Sequence, residues 1–251
     1  MSRSSSTAEN VLDVLLLFEG DGPELTAGEI SRRIGAPRST TYRYIRTLRD
    51  KGFLEPTDND AFRLGPRLLQ FARAARRRED VGAIALPHME QLCRQTRETV
   101  LLTRLSGRSA VCIERVEAPQ TIRISFDRGQ LQPLHAGASS KILLAYVTEA
   151  QLDHYLQQPL ERFTNHTITD PEALRAQLRH IRRQGYCISE SEVDAGATAI
   201  GVPILDSRGR LVAGLSTAGP TFRMDEAVVN RHVTLLKETA TAIQEQLAQN
   251  S

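Results

Sequence analysis

The apolar positions of the first half of the chain recur at helical spacing and are broken by clusters of turn-forming residues. Val11, Val14, Leu15 and Phe18 share one stripe and predict a helix over residues 8–19, which Gly20 to Pro23 would end. Residues 1–7 are Ser-rich, carry no apolar period and are expected to fray. Thr26 and Glu29 have capping-box spacing and open a second amphipathic segment with Ile30 and Ile34. Gly35 fits a helix C-cap and Pro37 a first-turn position, so a tight turn should separate this segment from a third helix over residues 37–51. In that helix Thr41, Ile45 and Leu48 face a core, while Arg38, Ser39, Thr40, Arg43 and Arg46 face outward. Gly52 stops it. Apolar runs at 53–55 and 61–64 flank the turn residues 57–60 and predict a hairpin, followed after Gly65-Pro66 by an Arg-rich helical stretch over 67–78.

From residue 80 the pattern changes. A helix to about residue 96 precedes strands at 99–105 and 110–116 around Ser106-Gly107, and a third strand is expected at 121–126. Residues 129–137 read as a loop, 139–147 and 149–156 as helical, and Asp170-Pro171 as the start of a helix running to Gln184 before Gly185. Strands are expected at 186–189, 198–205 and 211–217, the last two around the turn at 206–209, and a long amphipathic helix over 225–248 closes the chain. Helices flanking an antiparallel sheet make this half α+β.

Charge sharpens the first half. The whole chain of 251 residues has a net charge of only +2, so affinity for a polyanion must come from local clustering. From Arg32 to Lys51 seven Lys or Arg stand against one acid. Two short helices joined by a tight turn, the second with an outward basic face, are the grammar of a helix-turn-helix, whose second helix enters the major groove; the hairpin behind it would be a wing. The competing reading is a solvated basic helix in an ordinary bundle. The six arginines between Arg63 and Arg78 fit either phosphate contacts or a solvated face.

Cys93, Cys112 and Cys187 are dispersed, odd in number and outside any CxxC or Cys/His cluster, which argues against a disulfide framework or zinc finger and fits a reducing cytoplasm. The apolar run at 14–18 is too short to cross a bilayer, and no membrane association is expected. No GxSxG, HExxH, Walker or dinucleotide motif occurs, Ser139-Ser140-Lys141 lacks S-x-x-K spacing, and His135 is alone in its neighbourhood, so no catalytic residue, metal site or cofactor is expected. An enzyme acting on a small carboxylate through the second domain is the alternative.

The strings GAPRSTTYRYIRTLRDKGFLEPTDNDAFRLGPRLL, LHAGASSKILLAY and GVPILDSRGRLVAGLSTAGP, in this order over nearly the whole chain, resemble the IclR (isocitrate lyase regulator) family of bacterial transcription factors. The resemblance implies a winged helix-turn-helix domain at 1–65, a linker helix at 66–79 that helps dimerise it, and a GAF-like α+β effector-binding domain at 80–251. It implies double-stranded operator DNA as a partner, a homodimer or dimer of dimers, and control of a metabolic operon by a small carboxylate. For DNA it points to Arg38, Ser39, Thr40, Tyr42 and Arg43 after Pro37, to which the charge pattern adds Arg46; Thr41 departs from the apolar residue usual there.

For the effector, Gly137, Ala138 and Ser139 lie where a loop becomes a helix, and backbone amides at such a turn receive a carboxylate; simple N-capping by serine is the competing reading. Ser216 matches a family position whose hydroxyl faces ligand, and Ser189 one often occupied by an acid. Ala199 and Ala218 replace the Cys and Ser of many relatives, which points to a ligand more apolar than a two-carbon acid, with an aromatic acid as the leading candidate.

Overall fold

The computed structural model describes residues 6–19, 24–76, 81–121 and 126–249. The chain divides into two compact units, residues 1–79 and 80–251.

The first unit contains α1 (Thr7–Leu16), β1 (Leu25–Thr26), α2 (Ala27–Ile34), α3 (Arg38–Asp50), β2 (Leu54–Pro56), β3 (Ala61–Leu64) and α4 (Arg67–Arg76). Val14, Phe18, Ile30, Ile45, Leu48 and Leu54 form its core with Tyr44, an inward residue of α3 that periodicity alone left out. Thr41 is fully buried, and its hydroxyl donates to the Pro37 carbonyl at 3.1 Å, so a polar atom in the core is satisfied by its own helix.

Several local features differ from the sequence reading. Ser6 belongs to a full capping box with Glu9, so the helix starts at Thr7 inside the segment expected to fray; residues 1–5 lie outside the described residues, as do 20–23. Pro37 is the N-cap of α3, not a residue of its first turn, because its extended ψ of 147° turns the chain into the helix only at Arg38. Leu25 and Thr26 form a third strand, pairing antiparallel with Phe62 and Ala61, so the wing sheet has the order β1-β3-β2. The Thr26–Glu29 box and the left-handed Gly35 cap, at φ 66°, form as the sequence indicates. Gly65 closes the wing: a Cβ there would stand 2.3 Å from the Gly52 carbonyl oxygen, so only glycine lets α4 begin at that point.

The second unit contains α5 (Val81–Thr96), β4 (Thr99–Ser106), β5 (Ser109–Val116), β6 (Leu131–Pro133), α6 (Ala138–Ala145), α7 (Glu149–Leu156), α8 (Pro171–Gln184), β7 (Cys187–Glu190), β8 (Ala197–Leu205), β9 (Leu211–Pro220) and α9 (Glu226–Gln249). Its strands form one antiparallel sheet in the order β6-β5-β4-β9-β8-β7. The period of two divides the sheet cleanly. Val100, Leu102, Ile200, Val202, Ala213 and Leu215 pack against α5 and α9, whereas the alternate residues face α6, on which α8 packs through Leu174, Leu178 and Ile181. Residues 131–133, read as loop, pair with β5; the strand expected at 121–126 falls, apart from its end residues, outside the described residues.

Candidate functional site

Two sites take shape, one in each unit. In the first, Arg38, Ser39, Tyr42, Arg43 and Arg46 are exposed along α3 and Thr40 is half-buried, opposite the buried Thr41, Tyr44, Ile45 and Leu48. No side chain caps α3, and among the described residues nothing accepts a hydrogen bond from the amides of Arg38, Ser39 or Thr40. The exposed face therefore combines guanidinium groups, short hydroxyls and the positive end of a helix dipole, a set suited to phosphates and guanine edges. Arg46 shares a 3.7 Å ion pair with Asp50, an exposed contact worth little energy and easily exchanged for a phosphate.

In the second unit a cavity of about 360 Å³ opens between the sheet and the start of α6, and all seven residues singled out from sequence, Gly137, Ala138, Ser139, Ser189, Ala199, Ser216 and Ala218, line it. The sheet brings them together by register: Ala199 stands opposite both Ser189 and Ala218, and Ser216 is opposite Leu101, another lining residue. Two glycines make the approach of α6 possible. A Cβ on Gly201 would meet the Ser139 amide nitrogen at 3.1 Å, and one on Gly214 would meet the Ser139 carbonyl oxygen at 3.2 Å. The first turn of α6 thus lies directly on β8 and β9.

The polar inventory of the cavity is unusual for a buried space. Gly137, at φ 86°, gives α6 no side-chain cap, and its own amide donates to Glu192 Oε2 at 3.3 Å. Among the described residues nothing accepts from the amides of Ala138, Ser139 and Ser140, and the hydroxyls of Ser139, Ser189 and Ser216 have no partner although all three residues are buried. Simple capping by serine is thereby excluded, since no side-chain oxygen receives the turn's amides. The rest of the lining includes Leu101, Phe126, Pro133 and Phe163, an apolar wall on which a flat body can rest.

Sequence reasoning missed Glu192 and its partner. Lys141 is fully buried, its ammonium joined to Glu192 Oε1 and donating to Gln177 Oε1 at 3.1 Å. The available signal was a lysine inside the apolar run from Ala138 to Ala145, which requires a buried acid or acceptor somewhere in the fold.

His135 is held in place on both sides. Nδ1 lies 2.9 Å from the Tyr155 hydroxyl and Nε2 2.8 Å from the Glu161 carbonyl, and the ring stacks on Phe163 at 5.9 Å. Both nitrogens are occupied by framework contacts, which makes its role structural. Burial pushes the Cys112 thiol up to about 11 and the Cys187 thiol up to about 12, so neither supplies a thiolate at neutral pH. Among the described residues no cluster of His, Cys, Asp and Glu is placed to hold a metal, and no helix is long and apolar enough to cross a membrane.

Both units have counterparts among known proteins. Residues 7–58 match the IclR helix-turn-helix domain and residues 73–245 the bacterial transcriptional regulator IclR C-terminal domain. The chain is 33% identical to the HTH-type transcriptional regulator KipR of Bacillus subtilis over 227 residues, 90% of each protein. Among solved structures, an ICLR transcriptional regulator from Silicibacter superimposes with a TM-score of 0.89 at 25% identity over 96% of each chain. An IclR homolog from Microbacterium hydrocarbonoxydans, complexed with 4-hydroxybenzoate, superimposes with a TM-score of 0.82 at 32% identity over 98% of this chain and 100% of its own. With both units matched in order and nearly end to end, the chain belongs to the IclR family of bacterial transcriptional regulators.

Proposed function

We propose that the protein regulates a metabolic, catabolic operon by binding operator DNA through residues 1–65 and sensing a small carboxylate through residues 80–251, with 66–79 as the linker between them. The observation that carries this reading is the uncapped start of α6 at a cavity whose lining combines apolar side chains with unpartnered hydroxyls. The amides of Ala138 and Ser139 receive the carboxylate, supported by the helix dipole. The ligand body rests against Ala199, Ala218, Leu101 and Phe163, and the hydroxyls of Ser139, Ser189 and Ser216 bond its remaining polar atoms. An aromatic acid fits this division of chemistry best: Ala199 and Ala218 offer methyl groups, so ligand carbon there leaves no polar atom unpaired. The 4-hydroxybenzoate complex of the Microbacterium homolog supports the same class.

On the DNA side Arg38, Ser39, Thr40, Tyr42, Arg43 and Arg46 read and hold the operator. The working state is a homodimer, and a dimer of dimers in the larger assembly, because one winged helix covers too few base pairs for selectivity. Leu69 and Phe71, 73% and 54% exposed on α4, offer the linker an apolar surface for pairing.

A thermal-shift and calorimetric screen of glyoxylate, pyruvate and a benzoate series tests the ligand class. A ligand at 100 times its dissociation constant stabilises the sensing domain by about 2.7 kcal/mol. Tight binding of the smallest acids with none of the aromatic ones overturns the aromatic assignment, and a monomer in sedimentation at micromolar concentration, free and on DNA, overturns the assembly.

A further inference from the structure

We propose that the buried Lys141–Glu192 pair sets the ligand charge the cavity accepts, with Lys141 as a positioning residue that cancels a carboxylate built into the cavity wall. This rests on the reading of the cavity as a carboxylate site.

The pair is not explained by stability. A buried ion pair generally stabilises a fold no better than apolar residues of the same volume, because both charges lose their hydration. Its placement is informative instead. Lys141 belongs to the first turn of α6, and Glu192 to the connection between β7 and β8 that forms one side of the cavity. Glu192 holds the Gly137 amide with one oxygen and the Lys141 ammonium with the other, so a single carboxylate ties that connection to the helix start. The connection is also pinned from behind: the Thr167 hydroxyl donates to the Glu192 carbonyl at 2.6 Å, and the Thr164 hydroxyl to the Ser191 carbonyl at 2.5 Å.

The charges follow from this arrangement. Only two ionisable side chains line the cavity among the described residues, Glu192 and, exposed, Asp194, and both are acidic. Among the described residues no lysine or arginine lines the space. A carboxylate entering such a site meets like charge at short range and low dielectric unless that charge is cancelled. Lys141 cancels it from behind without reaching the ligand, since its ammonium is taken up by Glu192 and Gln177. The helix dipole and the free amides of Ala138, Ser139 and Ser140 are then left to decide for an anion. Selectivity for anionic over neutral ligands is therefore set by the sum of the pair's charges and not by either member alone.

The test compares benzoate with benzamide, which share a shape and differ in charge, by calorimetry on the full-length protein. Glu192→Gln keeps one acceptor oxygen for the Lys141 ammonium, replaces the oxygen that faces the Gly137 amide with an NH2 group and removes the negative charge, and should raise the benzoate-to-benzamide affinity ratio by about tenfold. Lys141→Met should lower the ratio by at least about tenfold, and the double variant Lys141→Met/Glu192→Gln, again neutral, should return it to within about threefold of the wild type. If Lys141→Met does not fold, the Glu192→Gln and double variants still give opposite expectations, one raised and one near the wild type. A ratio unchanged in every variant that folds, with benzoate still binding, overturns the role of the pair and leaves the carboxylate reading intact. Absence of binding by benzoate, 4-hydroxybenzoate, pyruvate and glyoxylate to the wild type overturns the carboxylate reading and this inference with it.

Discussion

The starts of α3 and α6 are alike in one respect and opposite in another. Five other helices are closed by their own side chains: Ser6 caps α1, Thr26 α2, Thr148 α7, Asp170 α8 and Asp225 α9. The N-cap residues of α3 and α6 are instead Pro37 and Gly137, which have no side-chain acceptor, and the first amides of both helices are left without partners among the described residues. In α3 the open end is exposed on the helix's arginine-bearing face; in α6 it is recessed against a sheet, and the cation of its own first turn, Lys141, is buried and already paired. A helix terminus left uncapped is a receptor for an anion, and its surroundings select which one. An exposed, cationic start suits a polyanion approached from solvent. A recessed start with apolar walls suits a single carboxylate that brings its own carbon.

Salt breaks the comparison most sharply. Each phosphate that the basic face neutralises releases counterions, so raising salt from about 50 to about 200 mM should weaken operator binding by about three orders of magnitude if six or more phosphates are contacted. Benzoate affinity should change less than about threefold over the same range, because the recessed start of α6 is poorly screened. Equal salt slopes in fluorescence anisotropy and calorimetry would remove the distinction between the two ends.

The recessed geometry depends on Gly201. Gly201→Ala would place a Cβ 3.0 Å from the Ala138 carbonyl carbon, and backbone has no easy escape. The expected cost is about 1–3 kcal/mol in denaturant unfolding of the second unit together with loss of ligand response, while DNA affinity without ligand is retained. A variant that binds ligand normally would show that α6 need not lie this close to the sheet.

At the exposed end, Arg43→Ala should cost about 1–3 kcal/mol of specific operator affinity if Arg43 pairs with a base, and leave the unfolding midpoint unchanged. Its guanidinium lies 5.8 Å from the Tyr44 ring centroid, on the outside of a ring that is itself buried, so its removal opens no cavity in the core. Unchanged affinity and unchanged discrimination between operator and random DNA would refute the helix phase.

What could be read from the sequence tracks how local its cause is. The Thr26–Glu29 box, the Gly35 cap and the two faces of α3 are set by residues within a few positions of one another, and they stand where periodicity puts them. β1 was illegible because two residues make a strand only when Phe62 and Ala61 arrive opposite them. β6 was hidden by Pro133 and Gly129, which punctuate a loop in sequence yet border an edge strand in the fold. The lining of the cavity was legible by resemblance at seven positions, but not by residue chemistry alone: Ala199 and Ala218 carry no signal until β8 and β9 pair. Glu192 escaped because its partner Lys141 lies 51 residues away, and a charged residue between Ser191 and Val193 reads as loop surface.

The smallest effect is the most direct test of an open helix end. Pro37→Asp would place a carboxylate where α3 has no cap, within reach of the free amides of Ser39 and Thr40. An aspartate N-cap and its interaction with the helix dipole stabilise by about 1 kcal/mol, and loss of the proline ring, which restricts the unfolded chain, costs about 0.4–1 kcal/mol. These nearly cancel, so the unfolding midpoint should barely move. DNA affinity should fall by about fivefold to tenfold, because the new carboxylate takes the amides and stands as a like charge before the phosphate. The cap therefore separates the two meanings of an uncapped terminus. If Pro37→Asp stabilises the protein and operator affinity stays as it was, the amides of α3 have no part in DNA binding, and the likeness between the two helix starts is one of geometry alone.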